Sequence, residues 1–477
     1  GGGGGGGSSS SSSSSSSSAI SSGDGSKAAF AVFNDPHSIW VDRASGYFFI
    51  TEMGGCRMRM IDNNNIITTV LGKESCLQRR RLRGATTSDA TVGTNTALMG
   101  LAGIWGHSAR GVVFVAESSR HVVRAYHIAN GTTNVVAGID HFPDFSGDDG
   151  PASLAALNNP VFLCGSEDGR DGTLYISDRN NHAIRQVDLS TMRIATVVGQ
   201  GGVAGALGDG ELGTAAKLRT PAGIAVNAKG DLYVVDAGNY KVCRANKNGV
   251  VETVAGNGNV GLHYPHINAL EAALSDDLRG IALMGTEGDF LFVDNGFALS
   301  AVRIVNATTG IIDLFAGTNQ AGFDGKNDRR ADASPLYNPT GMCWGDANEP
   351  DRLWFIDRGN GLVRAVDWSN GGGADLTLTP SNGPTDRPVG PSAAPTHTAS
   401  PSEAPSDVPS EAPSTDIPSV LPTITPLPTS TSVPSSTAVP TGTPAPTSTP
   451  VPSMSSVPSV APTDTPAPTE PPTAPPT

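Results

Sequence analysis

Acidic residues and arginines recur together in this sequence, six times each. Successive arginines are 65, 61, 59, 59 and 61 residues apart. Carboxylate and guanidinium groups that recur together build either charged reaction sites or ion pairs within a scaffold. A catalytic centre should break a six-fold repeat, because one substrate needs one arrangement. We therefore predict a structural role, in which each carboxylate caps the turn between two strands and the arginine supports it. The residues are Glu52, Glu117, Asp178, Asp236, Asp294 and Asp357, with Arg59, Arg124, Arg185, Arg244, Arg303 and Arg364.

The segments that position these residues are predicted to be short β-strands. Each segment is apolar or β-branched and is bounded by Gly or Asn, which is typical of strands. Four strands per repeat form one antiparallel sheet. Six sheets predict an all-β, six-bladed β-propeller over residues 29–379. The clearest repeat consists of Pro221-Ala-Gly-Ile-Ala-Val226, Asp231-Leu-Tyr-Val-Val-Asp236, Lys241-Val-Cys-Arg244 and Thr253-Val-Ala-Gly256.

These motifs resemble NHL-repeat propellers. The resemblance rests on the Pro-x-Gly-Ile-Ala-Val opening, the Leu-Tyr-Val-Val-Asp strand, the Thr-Val-Ala-Gly ending and the Gly-Asp links at 147–157 and 208–218. It covers about 350 residues and implies the propeller fold. It implies no single function, since such propellers serve as enzymes, receptors and protein- or RNA-binding modules.

The residue after each opening Pro, or its equivalent, is expected near the central channel and differs between blades. A lyase-type propeller needs several histidines there to hold zinc, and a lactonase-type propeller needs carboxylates and an Asn around a divalent cation. Neither set is present, so we predict no catalytic residue, no metal site and no enzyme activity. His37 and Arg279 together could hold an anion; the alternative is two ordinary rim residues. The six positions are His37, Ala102, Val161, Ala222, Arg279 and Thr340.

Other charged residues allow simpler interpretations. The arginine cluster at 79–83 is a solvated loop, a docking point for acidic tails or anionic sugars, or a processing site. His263 and His266 are interpreted as loop residues rather than metal ligands. Link aspartates such as Asp148 and Asp209 are interpreted as turn residues, with weak calcium binding as the alternative.

Residues 380–477 contain 27 of the 36 prolines. Proline fixes φ and lacks an amide hydrogen, so an extended polyproline II tail is predicted there. The tail repeats Pro-Ser/Thr-x-x, which on three residues per turn directs hydroxyls to all sides. This pattern favours O-glycosylation beside hydroxylated proline, and an unmodified disordered linker is the alternative. Predicted sites are Pro401, Ser402, Pro405, Ser406, Pro409, Ser410, Pro413, Ser414, Pro418, Ser419, Pro422 and Thr423.

Cysteines and sequons indicate the compartment. Five cysteines leave at least one thiol free or bonded to another chain. Cys56 and Cys76 flank the fourth strand of blade one and its following loop, so we predict a disulfide between them. N-glycosylation is predicted at Asn130 and Asn306, whose sequons fall in the turn between strands three and four of blades two and five. With the tail, these sequons favour an extracellular protein, secreted or at the cell surface.

Composition argues against nucleic acid as a partner and against a segment that spans a membrane. The net charge of −14 argues against nucleic acid, which binds a basic face. No run of 18 apolar residues exists, so no membrane span is predicted. Residues 1–28 form a Gly/Ser segment, either a flexible linker or placeholder letters for unidentified residues.

The propeller and tail together resemble, in composition, hydroxyproline-rich surface glycoproteins of algae and protists, including those of surface fibrils. We therefore expect a non-enzymatic structural subunit of an extracellular glycosylated fibril. Its partners would be copies of itself and glycans, with no cofactor beyond covalent glycans. The alternatives are a stalked propeller that binds sugars or proteins in adhesion, and a secreted propeller lyase or lactonase.

Overall fold

The structure is a computed structural model that describes residues 23–72, 91–166, 172–206, 208–261, 266–285, 288–296, 299–318, 321–323, 329–345, 350–368 and 377–379. Several predictions fall outside these residues. They concern the Gly/Ser segment before residue 23, Cys76, the arginine cluster at 79–83, His263, and the tail at 380–477.

The described residues form six antiparallel sheets, whose four main strands lie side by side in chain order. The predicted all-β, six-bladed propeller is therefore confirmed. Blades one to three contain Pro36–Val41, Phe48–Glu52, Arg57–Ile61 and Ile67–Gly72; Leu101–His107, Val112–Glu117, Val122–His127 and Thr132–Ala137; and Pro160–Ser166, Thr173–Asp178, Ala183–Asp188 and Arg193–Val198. Blades four to six contain Ile224–Val226, Leu232–Asp236, Lys241–Ala245 and Val251–Ala255; Asp277–Met284, Asp289–Asn295, Ser300–Asn306 and Ile311–Thr318; and Pro339–Trp344, Arg352–Asp357, Leu362–Asp367 and Thr377–Thr379.

The links between blades contribute a fifth edge element. In blades two, five and six it is a two-residue strand, Thr91–Val92, Ile267–Asn268 or Arg329–Arg330, paired with strand four of the same blade. In blades one, three and four a single bridge takes its place. Each link therefore runs along the outer strand of its blade before it enters strand one.

Short 3-10 turns connect the strands and links. They are Ala28–Phe30, Gly93–Asn95, Ser108–Arg110, Ala152–Leu154, Arg179–Asn181, Ala237–Asn239, Ala331–Ala333 and Arg358–Asn360. Those at Arg179, Ala237 and Arg358 directly follow the acid that ends strand two.

Strand one of each blade contacts strand one of both neighbours, so these strands surround a central channel. The approach is close: a Cβ on Gly223 would lie 2.4 Å from the carbonyl oxygen of Arg279. Glycine is required at such a contact because it has no side chain. The hydroxyl of Thr340 donates to the carbonyl of His37 at 2.7 Å, which joins the last blade to the first.

Apolar side chains fill the space between neighbouring blades. Phe48 of blade one meets Trp354 of blade six edge to face, with ring centroids 4.8 Å apart. Strand two of blade one is buried along its whole length, Phe48–Glu52. Strand two is covered on both faces, and this is why it is a largely continuous apolar run rather than an alternating one.

Candidate functional site

The six acids lie at the ends of strand two, and all six are fully buried. Each carboxylate accepts a hydrogen bond from a backbone N–H of the link that leads into strand one of its own blade, at 2.7–3.4 Å. The donors are Asn34, Met99, Asn158, Arg219, Ser275 and Tyr337. The carboxylate therefore fastens the link to the blade.

This arrangement differs from the predicted turn cap. The 3-10 turns after Asp178, Asp236 and Asp357 have no cap hydrogen bond from the aspartate side chain. Instead, an Asn three residues later donates its side-chain amide to the carboxylate, for example Asn360 to Asp357 at 2.8 Å. The carboxylate therefore contacts the link through a backbone N–H and the following turn through this Asn side chain.

Five of the six arginines form buried ion pairs with the acid of their own blade. The N···O distances lie between 2.6 and 3.4 Å. Such pairs leave water together, so each charge depends on the other for compensation. The pairs are Arg59–Glu52, Arg124–Glu117, Arg185–Asp178, Arg303–Asp294 and Arg364–Asp357.

Blade four departs from the predicted pattern in which each acid is supported by the arginine of its own blade. Cys243 pairs with Val234 in the register position that an arginine occupies in the other blades. Arg244 lies one residue further along the strand and therefore faces the opposite side of the sheet. There it forms a partly exposed ion pair with Glu252. The prediction that Arg244 supports Asp236 is corrected accordingly.

Asp236 consequently has neutral donors in place of a guanidinium group among the described residues. Its carboxylate accepts from the backbone N–H of Arg219 at 2.7 Å and the amide of Asn239 at 2.6 Å. Burial raises the pKa of Asp236 to about 7, although these hydrogen bonds and the charge of Lys241 act in the opposite direction. In blade three, burial raises the pKa of Asp178 to about 6.

Aspartates in the links provide further partners that the sequence interpretation missed. Arg185 meets Asp148 at 2.6 Å, and Arg59 meets Asp24 at 2.7 Å. The equivalent Asp209 of blade four accepts from the N–H and the hydroxyl of Thr253, at 3.0 Å each. The available signal was a Gly-Asp pair at the same place in three links.

The six predicted channel positions are mostly uncharged and closed to solvent. His37, Ala102, Ala222 and Thr340 are buried, whereas Val161 and Arg279 are partly exposed. Burial lowers the pKa of His37 to about 3, and the charges of Arg358 and Arg279 add to this effect. His37 is neutral at pH 7 and cannot supply the positive charge that an anion pair with Arg279 would need.

Two other arginines join Arg279 at one end of the channel. Arg179 and Arg358 directly follow the acids of blades three and six, and Arg279 is the third residue of strand one of blade five. Arg279 acts electrostatically on both Arg179 and His37, and Arg358 also acts on His37. We call these three arginines the channel mouth. Sequence analysis selected only Arg279 of the three.

The cysteines in the described residues differ in whether they form a disulfide. Cys56 is disulfide-bonded, and Cys164, Cys243 and Cys343 carry free thiols. The pairing of Cys56 with Cys76 stays a prediction because Cys76 lies outside the described residues.

Asn130 and Asn306 are exposed where strand three of their blades ends and turns toward strand four. Each side-chain oxygen accepts backbone N–H groups of its own turn, from Thr132 at 3.0 Å and from Thr308 at 3.1 Å. The structure thus places both acceptor side chains at the surface, as an N-linked glycan requires.

Comparisons with known proteins identify the repeat. Residues 201–268 match the model of the Teneurin NHL domain. The propeller contains NHL repeats. Over 244 residues the chain is 32% identical to human teneurin-4, covering 47% of this chain and 8% of the relative. Over 132 residues it is 32% identical to protein SUPPRESSOR OF QUENCHING 1, chloroplastic, of Arabidopsis thaliana, covering 26% of this chain and 12% of the relative.

A solved structure supports the fold. A structural genomics protein of unknown function from Bacteroides thetaiotaomicron superposes with a TM-score of 0.50 at 16% identity, covering 73% of each chain. The sequence matches span small parts of the curated relatives, so these comparisons show the domain and the fold. The described part of the chain contains no helix of the length and apolarity that a membrane span needs. Within the same part, no three His, Cys, Asp or Glu side chains are grouped to hold a metal ion.

Proposed function

We propose that this protein is a non-enzymatic structural subunit of an extracellular, glycosylated fibril. Propellers form its beads, and the O-glycosylated tail at 380–477 forms its spine or spacer. One observation carries the proposal. A closed propeller is followed in the same chain by a Pro-Ser/Thr-x-x repeat, in which prolines recur every four residues from Pro401 to Pro413.

The closed ring of blades supports a bead that repeats as a unit. Beside the Thr340–His37 hydrogen bond, Arg358 of blade six meets Asp35 at 3.0 Å at the start of blade one. The repeated acids and arginines of five blades are engaged in pairs inside those blades. These groups stabilise the scaffold rather than form a reaction centre.

Surface chemistry supports an extracellular place for the bead. The exposed acceptor residues Asn130 and Asn306 suit N-linked glycans, and Ser and Thr after tail prolines suit O-linked ones. A polyproline II rod makes no hydrogen bonds of its own, so water, sugars or another chain must satisfy its backbone. Covalent sugars at short intervals would sheath and stiffen this rod.

Filaments follow from such a subunit when one propeller packs along the sheathed rod of the next. Contacts between unlike surfaces that do not close into a ring build an open fibre. Electron microscopy of native material tests this arrangement. We expect regular filaments with propeller-sized beads. Isolated heads on separate stalks would contradict the fibril and favour the adhesion module.

The second candidate function is a stalked propeller that binds sugars or proteins. One specific observation favours it: the three arginines of the channel mouth, contributed by different blades, form an asymmetric feature in an otherwise repetitive scaffold. No comparable observation favours a lyase or a lactonase, because the described residues offer no grouped metal ligands.

A further inference from the structure

Two histidines each join their blade to the next one through a hydrogen bond. Nδ1 of His121 in blade two accepts the backbone N–H of Asn159 at 3.0 Å, and Nδ1 of His182 in blade three accepts the backbone N–H of Thr220 at 3.0 Å. Both donors lie in links, directly before the proline that opens the next blade. The histidines therefore fasten the links into blades three and four from the side of the preceding blade.

The same links are also held from their own blades. The preceding amide of each link, at Asn158 and at Arg219, donates to the acid of its own blade at 2.7 Å in both cases. The link into blade six is fastened to the preceding blade in a similar way, but there the hydroxyl oxygen of Ser300 accepts the N–H of Asn338 at 3.1 Å. Of these three acceptors, the two histidines take up a proton near neutral pH, whereas serine does not.

The backbone that the histidines hold is in an unfavourable conformation. Asn159 has a φ of 59° and Thr220 a φ of 45°, both in the left-handed region. This region is costly for a β-branched residue such as Thr220, and it persists where the surroundings enforce it. Both histidines are partly exposed, so protons from the solvent reach their rings. Each link thus combines a strained residue with an acceptor that titrates.

We propose that His121 and His182 form a pH-sensitive latch, which holds the links into blades three and four at neutral pH and releases both in a mildly acidic medium. An imidazole accepts a hydrogen bond through Nδ1 only while that nitrogen carries no proton. Protonation places an N–H opposite the N–H of the link, so attraction becomes repulsion. This inference goes beyond the proposed fibril subunit and does not rest on it.

The direction of the pH effect follows from the neutral ring. Burial lowers the pKa of His182, and the charge of Arg219 adds to this effect. The folded state therefore favours the neutral imidazole. The stability that His182 contributes is present above the unfolded pKa of about 6.5 and is lost as the pH falls through the lowered pKa of the folded state.

The elements around His182 carry charged groups of both signs. Arg179 stands in the same turn and Arg219 in the link, and the charge of Arg219 disfavours protonation of the ring. The acids of blades three and four, Asp178 and Asp236, are raised by burial to pKa values of about 6 and about 7. As the pH falls, these carboxyls take up protons and stabilise the fold. They act against the latch, so the stability of the whole protein does not isolate it.

Around His121 the charged groups are paired with one another. Arg120, the preceding residue, meets the carboxylates of Asp140 and Glu117. The link contributes two uncharged residues at 158–159. A change of the histidine alone leaves these pairs in place.

Hydrogen–deuterium exchange of the full chain, read by mass spectrometry, measures the release of each link. Peptides over 155–161 and 216–222 report on the two links held by histidine, and peptides over 334–340 report on the link held by Ser300. Exchange is compared at about pH 7.5 and about pH 5, after correction for the intrinsic pH dependence of amide exchange. We expect the opening constant of the histidine-held links to rise about tenfold for each unit by which the fold lowers the pKa of the ring. The opening constant of the Ser300-held link should not rise.

Asparagine in place of each histidine keeps an acceptor and removes the titration. The side-chain oxygen of Asn is as many bonds from the backbone as Nδ1, and Asn tolerates the left-handed φ of 62° at His121 and 52° at His182. In the His121→Asn/His182→Asn chain, acid should no longer open the two links. His141→Asn is the matched control, because His141 also has a positive φ of 58° and its ring lies beside Asp140 of its own link. It should keep the wild-type response to pH.

The proposal is overturned if the histidine-held links of the wild type open no more at about pH 5, or if the Ser300-held link opens by the same factor. It is also overturned if the double Asn variant keeps the wild-type response to pH. The first two outcomes are read on the wild-type chain and do not depend on how a variant folds. Microscopy of filaments measures the proposed function separately, so either idea can fail alone.

Discussion

Blades four and six provide a matched pair for testing what the buried acids do. Asp357 accepts from the N–H of Tyr337 at 2.8 Å, from Asn360 at 2.8 Å and from Arg364 at 3.0 Å. Asp236 has the same backbone and Asn donors but no arginine, because Cys243 occupies that position. Replacing each acid by alanine therefore separates the hydrogen bonds from the ion pair.

The two losses of stability should differ. Asp236→Ala leaves the backbone N–H of Arg219 without its acceptor and the Asn239 amide with only the carbonyl of Gly205, which costs about 1–3 kcal/mol. Asp357→Ala does the same and also leaves Arg364 buried with only the carbonyl of Pro335 as a hydrogen-bond acceptor in the described residues. Removing one partner of a buried ion pair costs about 3–5 kcal/mol. We expect Asp357→Ala to be the more damaging change by about 2 kcal/mol.

Urea unfolding followed by tryptophan fluorescence measures both free energies, with equal denaturant slopes as the condition for comparing them. A further variant checks the cause. Adding Arg364→Met to Asp357→Ala removes the unpaired charge and should recover part of the loss. Equal losses for both alanine variants, or no recovery in the double variant, would refute the argument from ion pairing.

Three further predictions follow from single groups. The pKa of Asp236 is raised in the folded state, so its stabilising effect is present below its unfolded pKa and is lost as the pH rises through about 7. Relative to wild type, Asp236→Asn should therefore gain about 3 kcal/mol of stability between pH 5 and 8 in urea unfolding, and a constant difference would contradict this. Peptide mass spectrometry of native protein should find N-linked glycans at Asn130 and Asn306. Unmodified peptides would remove the support that the two sequons give to an extracellular location. Non-reducing peptide mapping should link Cys56 to Cys76, and Cys56 found with any other partner would show the predicted pairing to be wrong.

The fold was predictable because every blade repeats the same apolar strands between turn residues. Blade four shows where such reasoning fails. The arginine follows the acid by seven residues in blade six, from Asp357 to Arg364, but by eight in blade four, from Asp236 to Arg244. Both turns are three-residue 3-10 turns, so one extra residue places the side chain on the other face. Noting whether the separation between acid and arginine is odd or even would have revealed that Arg244 cannot face Asp236.

The channel mouth was only partly predictable. Arg279 occupies the position equivalent to the residue after an opening Pro, so the repeat alone points to it. Arg179 and Arg358 lie directly after the acid of strand two, a position whose occupants also differ between blades. Arg279 and Arg179 influence each other electrostatically because their blades surround the same channel, and the spacing of residues along the chain does not show this. The lowered pKa of His37 likewise depends on burial by neighbouring blades.

The fibril proposal is tested most directly by assembly with and without the tail. Three samples are compared by electron microscopy and thermal unfolding: the native chain, the chain without 380–477, and a chain whose tail is replaced by Gly/Ser of equal length. The account predicts filaments from the native chain alone, while the other two stay monomeric with the same propeller melting temperature. Normal filaments from the chain without its tail would contradict the claim that the tail organises the filament. That result would favour the stalked adhesion module over the fibril subunit.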